Sequence, residues 1–196
     1  MNITLDAETK AGVKEVVIPY FLNKDLLPAG VLGNIYEALV AEGSLGEVLH
    51  EKENSKDDFI SYVEKFTLPS VFANVEENRI DGIAWLSDIA ITDTHTKASG
   101  SYCFLKQAWD TKRSLHYGKI CVAQWFFPEQ FGISYPPLDS LWGLTPKSNR
   151  LARRFATRLG MKYVANLPGF TCHHGKRVDA LVCNIEREEF RAKWGQ

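Results

Sequence analysis

The sequence predicts an α/β (α+β) fold, a mixed sheet flanked by helices, with a helical portion leading into it. Three observations carry this. Apolar residues recur at helical spacing through the first third of the chain, the period switches to two at Val71, and a strand, a helix and a second strand are readable between Ser140 and Leu167. At 196 residues with 45% hydrophobic and 24% charged residues, the chain has enough apolar mass for one globular unit and too little length for two full domains. A boundary near residue 70 divides the helical portion, 1–70, from the sheet-bearing portion, 71–196, within what is expected to be a single structural unit.

Each element has a local reason. Val13 to Phe21 reads as a strand or an extended linker. Pro28 then stands near the start of a helix reaching Ala41, whose Val31, Leu32, Ile35, Leu39 and Val40 keep helical spacing. Leu45 to His50 is a second amphipathic stretch, followed by the charged connector Glu51 to Lys56. Ser55 or Asp57 can cap the next helix, which carries Phe59, Ile60, Val63 and Phe66 and stops at Pro69. Val71 to Val75 is a strand, Glu77-Asn78 a tight turn and Arg79 to Ile91 the return strand. Polar Thr92 to Gly100 reads as a turn, and Tyr102 to Trp109 as a third strand. A helix from about Thr111 to Phe127, a Pro/Gly loop to Pro137, a strand at Ser140–Leu144 and a helix at Arg150–Leu159 follow; this strand–helix–strand order implies a parallel pairing. Met161 to Leu167 and Val178 to Ile185 close the sheet, and Glu186 to Trp194 reads as a polar tail.

The net charge of −1 conceals a division. Residues 37–93 hold 13 acids against 4 bases, whereas residues 97–177 hold 13 bases against 3 acids. A phosphate-bearing partner therefore fits the second stretch, and a basic partner the first. No apolar run approaches the roughly 20 residues of a membrane span, and the first residues lack the pattern of a secretory signal. The expectation is a cytoplasmic protein with four free thiols, Cys103, Cys121, Cys172 and Cys183, and no membrane association.

The most informative window runs from Trp142 to Tyr163. Ser148 or Asn149 can cap its helix, Leu151, Phe155 and Leu159 form a stripe, and Gly160 is placed for a left-handed stop. This segment resembles the fourth helix of the GNAT superfamily of N-acetyltransferases: Asn149, Ala152, Phe155, Leu159 and Gly160 fit that family's pattern. Gly82 before Ile83-Ala84-Trp85 and the strand from Tyr102 fit its second to fourth strands, and the resemblance covers roughly Val71 to Ile185. The layout also resembles that of short acetyltransferase-like proteins of tailed phages.

The resemblance implies a strongly twisted sheet and acetyl-CoA as cofactor, with an acetyl group passing from it to an amine of unknown identity. It places Ala108, Lys112, Arg113 and Ser114 at the cofactor's pyrophosphate, which the family binds with backbone N–H groups of a Gly-rich turn, and Asn149, Arg150 and Arg153 at its pantetheine or phosphates. Two departures stand out. Trp109 to Ser114 contains no glycine, and Ala156 stands where many of these enzymes carry the Tyr that protonates the leaving thiolate.

For the chemistry itself the candidates are Asp88 as general base, with Asp93 and Asp110 as other carboxylates, and Tyr102 as acid, with Tyr117 and Tyr163 as substitutes. Each also reads as an ordinary strand or core residue. Cys172-His173-His174 with Cys183 lacks the paired spacing of a zinc site, so no metal is expected. His116 is a candidate base or a helix-face histidine. The second function class is a non-catalytic phage protein, using the same scaffold as a binding or virion-assembly module with a phage or host protein partner; its location would be the host cytoplasm. The basic run from Arg150 to Arg158 raises nucleic acid as a third class, but no reader motif accompanies it.

Overall fold

The computed structural model describes residues 14–48, 55–65, 67–110 and 112–195. Seven strands form one mixed sheet in the order β1-β2-β3-β4-β5-β7-β6. They are β1 (Glu15–Pro19), β2 (Thr67–Asn74), β3 (Arg79–Ile91), β4 (Thr96–Phe104), β5 (Ser140–Pro146), β6 (Lys162–His173) and β7 (Lys176–Glu186). The helices are α1 (Val31–Ala41), α2 (Leu45–Val48), α3 (Lys56–Glu64), α4 (Arg113–Phe126), α5 (Arg150–Leu159) and α6 (Arg187–Trp194). The described residues divide into two compact units, one within 14–85 and 102–117 and the other within 86–101 and 118–195.

In the first unit, β1 pairs antiparallel with β2 from Glu15↔Asn74 to Pro19↔Ser70, so the N-terminal portion supplies a strand as well as helices. α3 starts where Ser55 Oγ accepts the Asp58 amide at 3.1 Å, and Asp57 and Asp58 suit the positive end of the helix. Alternation along β2 gives the unit two faces. Val71 and Ala73 join Ile35, Leu39, Phe59 and Val63 in one buried cluster, while Phe72 turns the other way and stacks on Phe104 and Tyr117, both at 5.1 Å. Gly82 has φ +151°, and a Cβ there would lie 2.2 Å from the Cys103 carbonyl oxygen, so the backbone contact admits only glycine.

In the second unit β4 and β5 run parallel, but only for Lys97↔Ser140, Ala98↔Leu141 and Ser99↔Trp142. β5 continues to Pro146, paired antiparallel with β7 throughout. β6 pairs with β7 through two register irregularities, between Tyr163 and Ala165 and between Leu167 and Thr171.

Several expectations change. β2 begins at Thr67 and passes through Pro69, with Leu68 at φ +59°, so the proline lies within the strand. β4 starts at Thr96 and ends at Phe104, leaving only a short turn after Ile91 and turning Lys106–Ala108 into a 3-10 helix. Glu186 to Trp194 is no tail: α6 carries a reciprocal capping box between Glu186 and Glu189 and buries Phe190. Leu151 is 52% exposed, so the buried side of α5 is Ala156 and Leu159 with half-buried Phe155. His50 and Phe66 lie outside the described residues. Among the described residues no helix is long and apolar enough to cross a membrane.

Candidate functional site

The sequence-predicted site residues fall in two groups, one in each unit. In the first unit the chain leaves β4 through the 3-10 turn, buries Ala108 and enters α4. Asp110 governs that entry. Its Oδ1 accepts the amides of Lys112 at 2.9 Å and Arg113 at 2.8 Å, and its carbonyl oxygen accepts both the amide of Ser114, at 3.2 Å, and the Ser114 hydroxyl, at 2.9 Å. The side chain is thus an N-cap, neutralising backbone donors that the helix leaves over.

Arg113 is held among carboxylates. Its guanidinium lies 3.5 Å from Asp110, 3.9 Å from Asp81 and 4.0 Å from Glu77, and it donates to the Gln107 carbonyl oxygen at 3.3 Å. Asp81, fully buried on β3, also accepts Arg79 Nε at 2.6 Å and the Tyr117 hydroxyl at 2.9 Å. Arg79 in turn pairs with Glu77. Burial, reinforced by the neighbouring Asp81 and Glu15 charges, pushes the Tyr117 phenol far above its usual range, so Tyr117 acts here as a hydrogen-bond donor. Sequence reasoning missed Asp81. Its only signal was Arg79 two positions earlier, on the same face of a strand.

Outside this cluster Lys112 and His116 are exposed, and an open cleft of about 700 Å³ is lined by Glu15, Asp110, Lys112, Arg113 and His116. Tyr102 is half-buried on β4, its ring stacked 6.2 Å from Phe104.

In the second unit Asn149 is the N-cap of α5, 5% exposed, and its Oδ1 accepts the Ala152 amide at 2.9 Å. Gly160 ends the helix at φ +110°, taking up the Ala156 and Thr157 carbonyls. Arg150 and Arg153 are exposed; Arg153 reaches back to the Lys147 carbonyl oxygen at 3.1 Å, while its own carbonyl accepts the Tyr163 hydroxyl at 3.1 Å. Asp88 is exposed at φ +50°, where the regular alternation of β3 is interrupted, and accepts the Ser87 hydroxyl at 3.2 Å. Ala156 is buried. Cys172 and His173 close β6, with His173 Nδ1 2.7 Å from Ser148 Oγ, and His174 follows at φ +51° in the turn to β7.

No protein-family model matches the chain, and no curated protein matches it in sequence. Solved structures do match. Spermidine N-acetyltransferase from Vibrio cholerae, in complex with CoA and spermine, superposes with a TM-score of 0.69 at 12% identity, covering 90% of this chain and 98% of the other. A GNAT-family acetyltransferase from Bacillus anthracis gives 0.66 at 11% identity, with 90% and 96% covered. RimJ from Mycobacterium smegmatis, in complex with CoA-disulfide, gives 0.65 at 14%, with 82% and 78% covered. The fold is the GNAT fold. At these identities the likeness establishes architecture, and the chemistry is argued from the residues of this chain. The likeness covers more of the chain than residues 71–196 alone.

Proposed function

We propose that the protein is an N-acetyltransferase of the GNAT type, taking the acetyl group of acetyl-CoA to an amine. The observation that carries this reading is the short β4–β5 ladder, which ends at Ser99 and Trp142 while β5 runs on to Pro146, within a fold shared with structures that hold CoA. Gly143–Pro146, beyond that ladder, is the proposed edge along which an extended ligand arm adds polar partners, as an extended chain does at a sheet edge.

When bound, acetyl-CoA supplies a thioester whose carbonyl carbon takes the amine nitrogen and whose sulfur leaves as the thiol. Asp88, exposed on β3, is the proposed acceptor of the proton an ammonium must lose, and Tyr102 the proposed donor of the proton the sulfur gains. Asn149 fixes the first turn of α5, and Arg150 and Arg153 offer charge to the donor's phosphates. A cytoplasmic location accords with this reading, since acetyl-CoA is made and used inside cells.

The turn before α4 does not fit a diphosphate in the way the family resemblance implies. The Lys112 and Arg113 amides are already donating to a carboxylate, and the Arg113 guanidinium is shared among three acids. That observation favours a second reading, a non-catalytic binding or assembly module on the same fold, of the kind tailed phages encode.

Calorimetry and thermal shift with acetyl-CoA separate the two. A ligand at 100 times its dissociation constant stabilises the fold by about 2.7 kcal/mol. Binding is expected, weakened several-fold in Arg150→Ala and Arg153→Ala. No heat and no shift at millimolar acetyl-CoA would leave the module reading in its place.

A further inference from the structure

The disagreement at the start of α4 has a direct physical meaning. A helix N-terminus favours one anion, because its free amides and its dipole act together. In this chain that anion is built in. The Asp110 carboxylate takes the Lys112 and Arg113 amides at 2.9 and 2.8 Å and stands 3.5 Å from the Arg113 guanidinium. A phosphate approaching the same amides meets a like charge at contact distance and finds both donors engaged. The Arg113 guanidinium beside it does not compensate, since it is shared with Asp81 and Glu77.

We propose that Asp110 is an internal anion that excludes phosphate from the first turn of α4, and that an acyl donor is therefore recognised here by its acyl-pantetheine arm rather than by a diphosphate at this turn. This deepens the acetyltransferase reading and rests on it only for the pantetheine arm.

The test compares the unaltered protein with Asp110→Asn and Asp110→Gly, using inorganic pyrophosphate, CoA and pantetheine as separate probes. Asparagine keeps the cap and removes the charge; glycine removes both at little cost in capping. Pyrophosphate is expected to bind Asp110→Gly at least tenfold more tightly than the unaltered protein, with Asp110→Asn in between. The margin of CoA over pantetheine, which Arg150 and Arg153 supply in the unaltered protein, is expected to widen a further tenfold or more in Asp110→Gly, with pantetheine itself unchanged. Equal pyrophosphate affinity in the unaltered protein and in Asp110→Gly overturns the proposal, as does a margin of CoA over pantetheine that Asp110→Gly leaves unchanged. Should Asp110→Gly fail to fold, amide NMR of the unaltered protein decides. The Lys112 and Arg113 amide signals are expected to stay in place as pyrophosphate is added, and a saturable shift in both refutes the exclusion. If neither CoA nor pantetheine binds any of the three proteins, the acetyltransferase reading falls while the pyrophosphate comparison still judges Asp110.

Discussion

Asp81 is the residue whose removal should be felt most. It is a fully buried carboxylate facing two guanidinium groups and a phenol, and taking away one partner of a buried ion pair leaves the others uncompensated. Asp81→Ala is expected to lower stability by about 3–5 kcal/mol, and Tyr117→Phe, which removes one donor to a charged acceptor, by about 1.5–3 kcal/mol. Urea denaturation followed by tryptophan fluorescence measures both; equal, sub-kilocalorie effects would show that the cluster is held by solvent instead. Some residues that act on their own backbone neighbours were legible in the sequence. Asn149 and Ser55 cap the helices they precede, and Gly160 stops α5, because each needs only the next few residues to make its bonds. Asp81 was not legible. Its partners Tyr117 and Arg113 reach it only after β3 and α4 have packed, and the one local signal, Arg79 two positions earlier, equally fits an exposed strand pair.

Helices and strands with an apolar period announced themselves, and those relying on one anchor did not. The bounds of α5 were readable to the residue, although Leu151 of its expected stripe is exposed, whereas α6 offers Phe190 and Trp194 in an otherwise polar stretch, too little for a stripe. Its order comes from its ends and that anchor. Glu186 and Glu189 close the capping box, Phe190 packs edge-on against Phe126 at 5.6 Å, and the Trp194 indole donates to the Leu159 carbonyl at 2.9 Å. Phe190→Ala is expected to cost about 3–5 kcal/mol in urea denaturation, the range for truncating a buried aromatic ring. A change below 1 kcal/mol would mean α6 docks without it. The start of β4 was misjudged for a related reason. Thr96 to Gly100 is polar and small, and its strand conformation depends on β5 beside it and on Asp139, whose carboxylate accepts the Thr96 amide at 2.8 Å.

Taken over the whole molecule, burial makes the folded chain hold protons that the unfolded chain gives up. Desolvation pushes the Cys183 thiol from 9.0 up to about 11, and burial raises Cys103 and Tyr117 in the same direction. A folded-state pKa above the unfolded one gives stability that is complete below the unfolded value and is lost as pH rises through the folded value. The unfolding free energy is therefore expected to fall as pH climbs from about 9 towards 11, the interval between those two Cys183 values, and Cys183→Ala should shallow that decline. Denaturation midpoints across this range measure it, and a flat profile would contradict the assignment. The division of charge along the chain, invisible in a net charge of −1, is the other property that belongs to this scale. So is the behaviour of the sheet's last strand. β6 closes the strand order, and its ladder with β7 is broken twice, with Pro168 and Gly169 inside the second break. A proline offers no amide to an incoming strand, and a bulged margin cannot keep step with a straight one. At this margin the folded protein is thereby guarded against edge-to-edge growth into fibres, a protection written into the same hairpin whose far end carries His173.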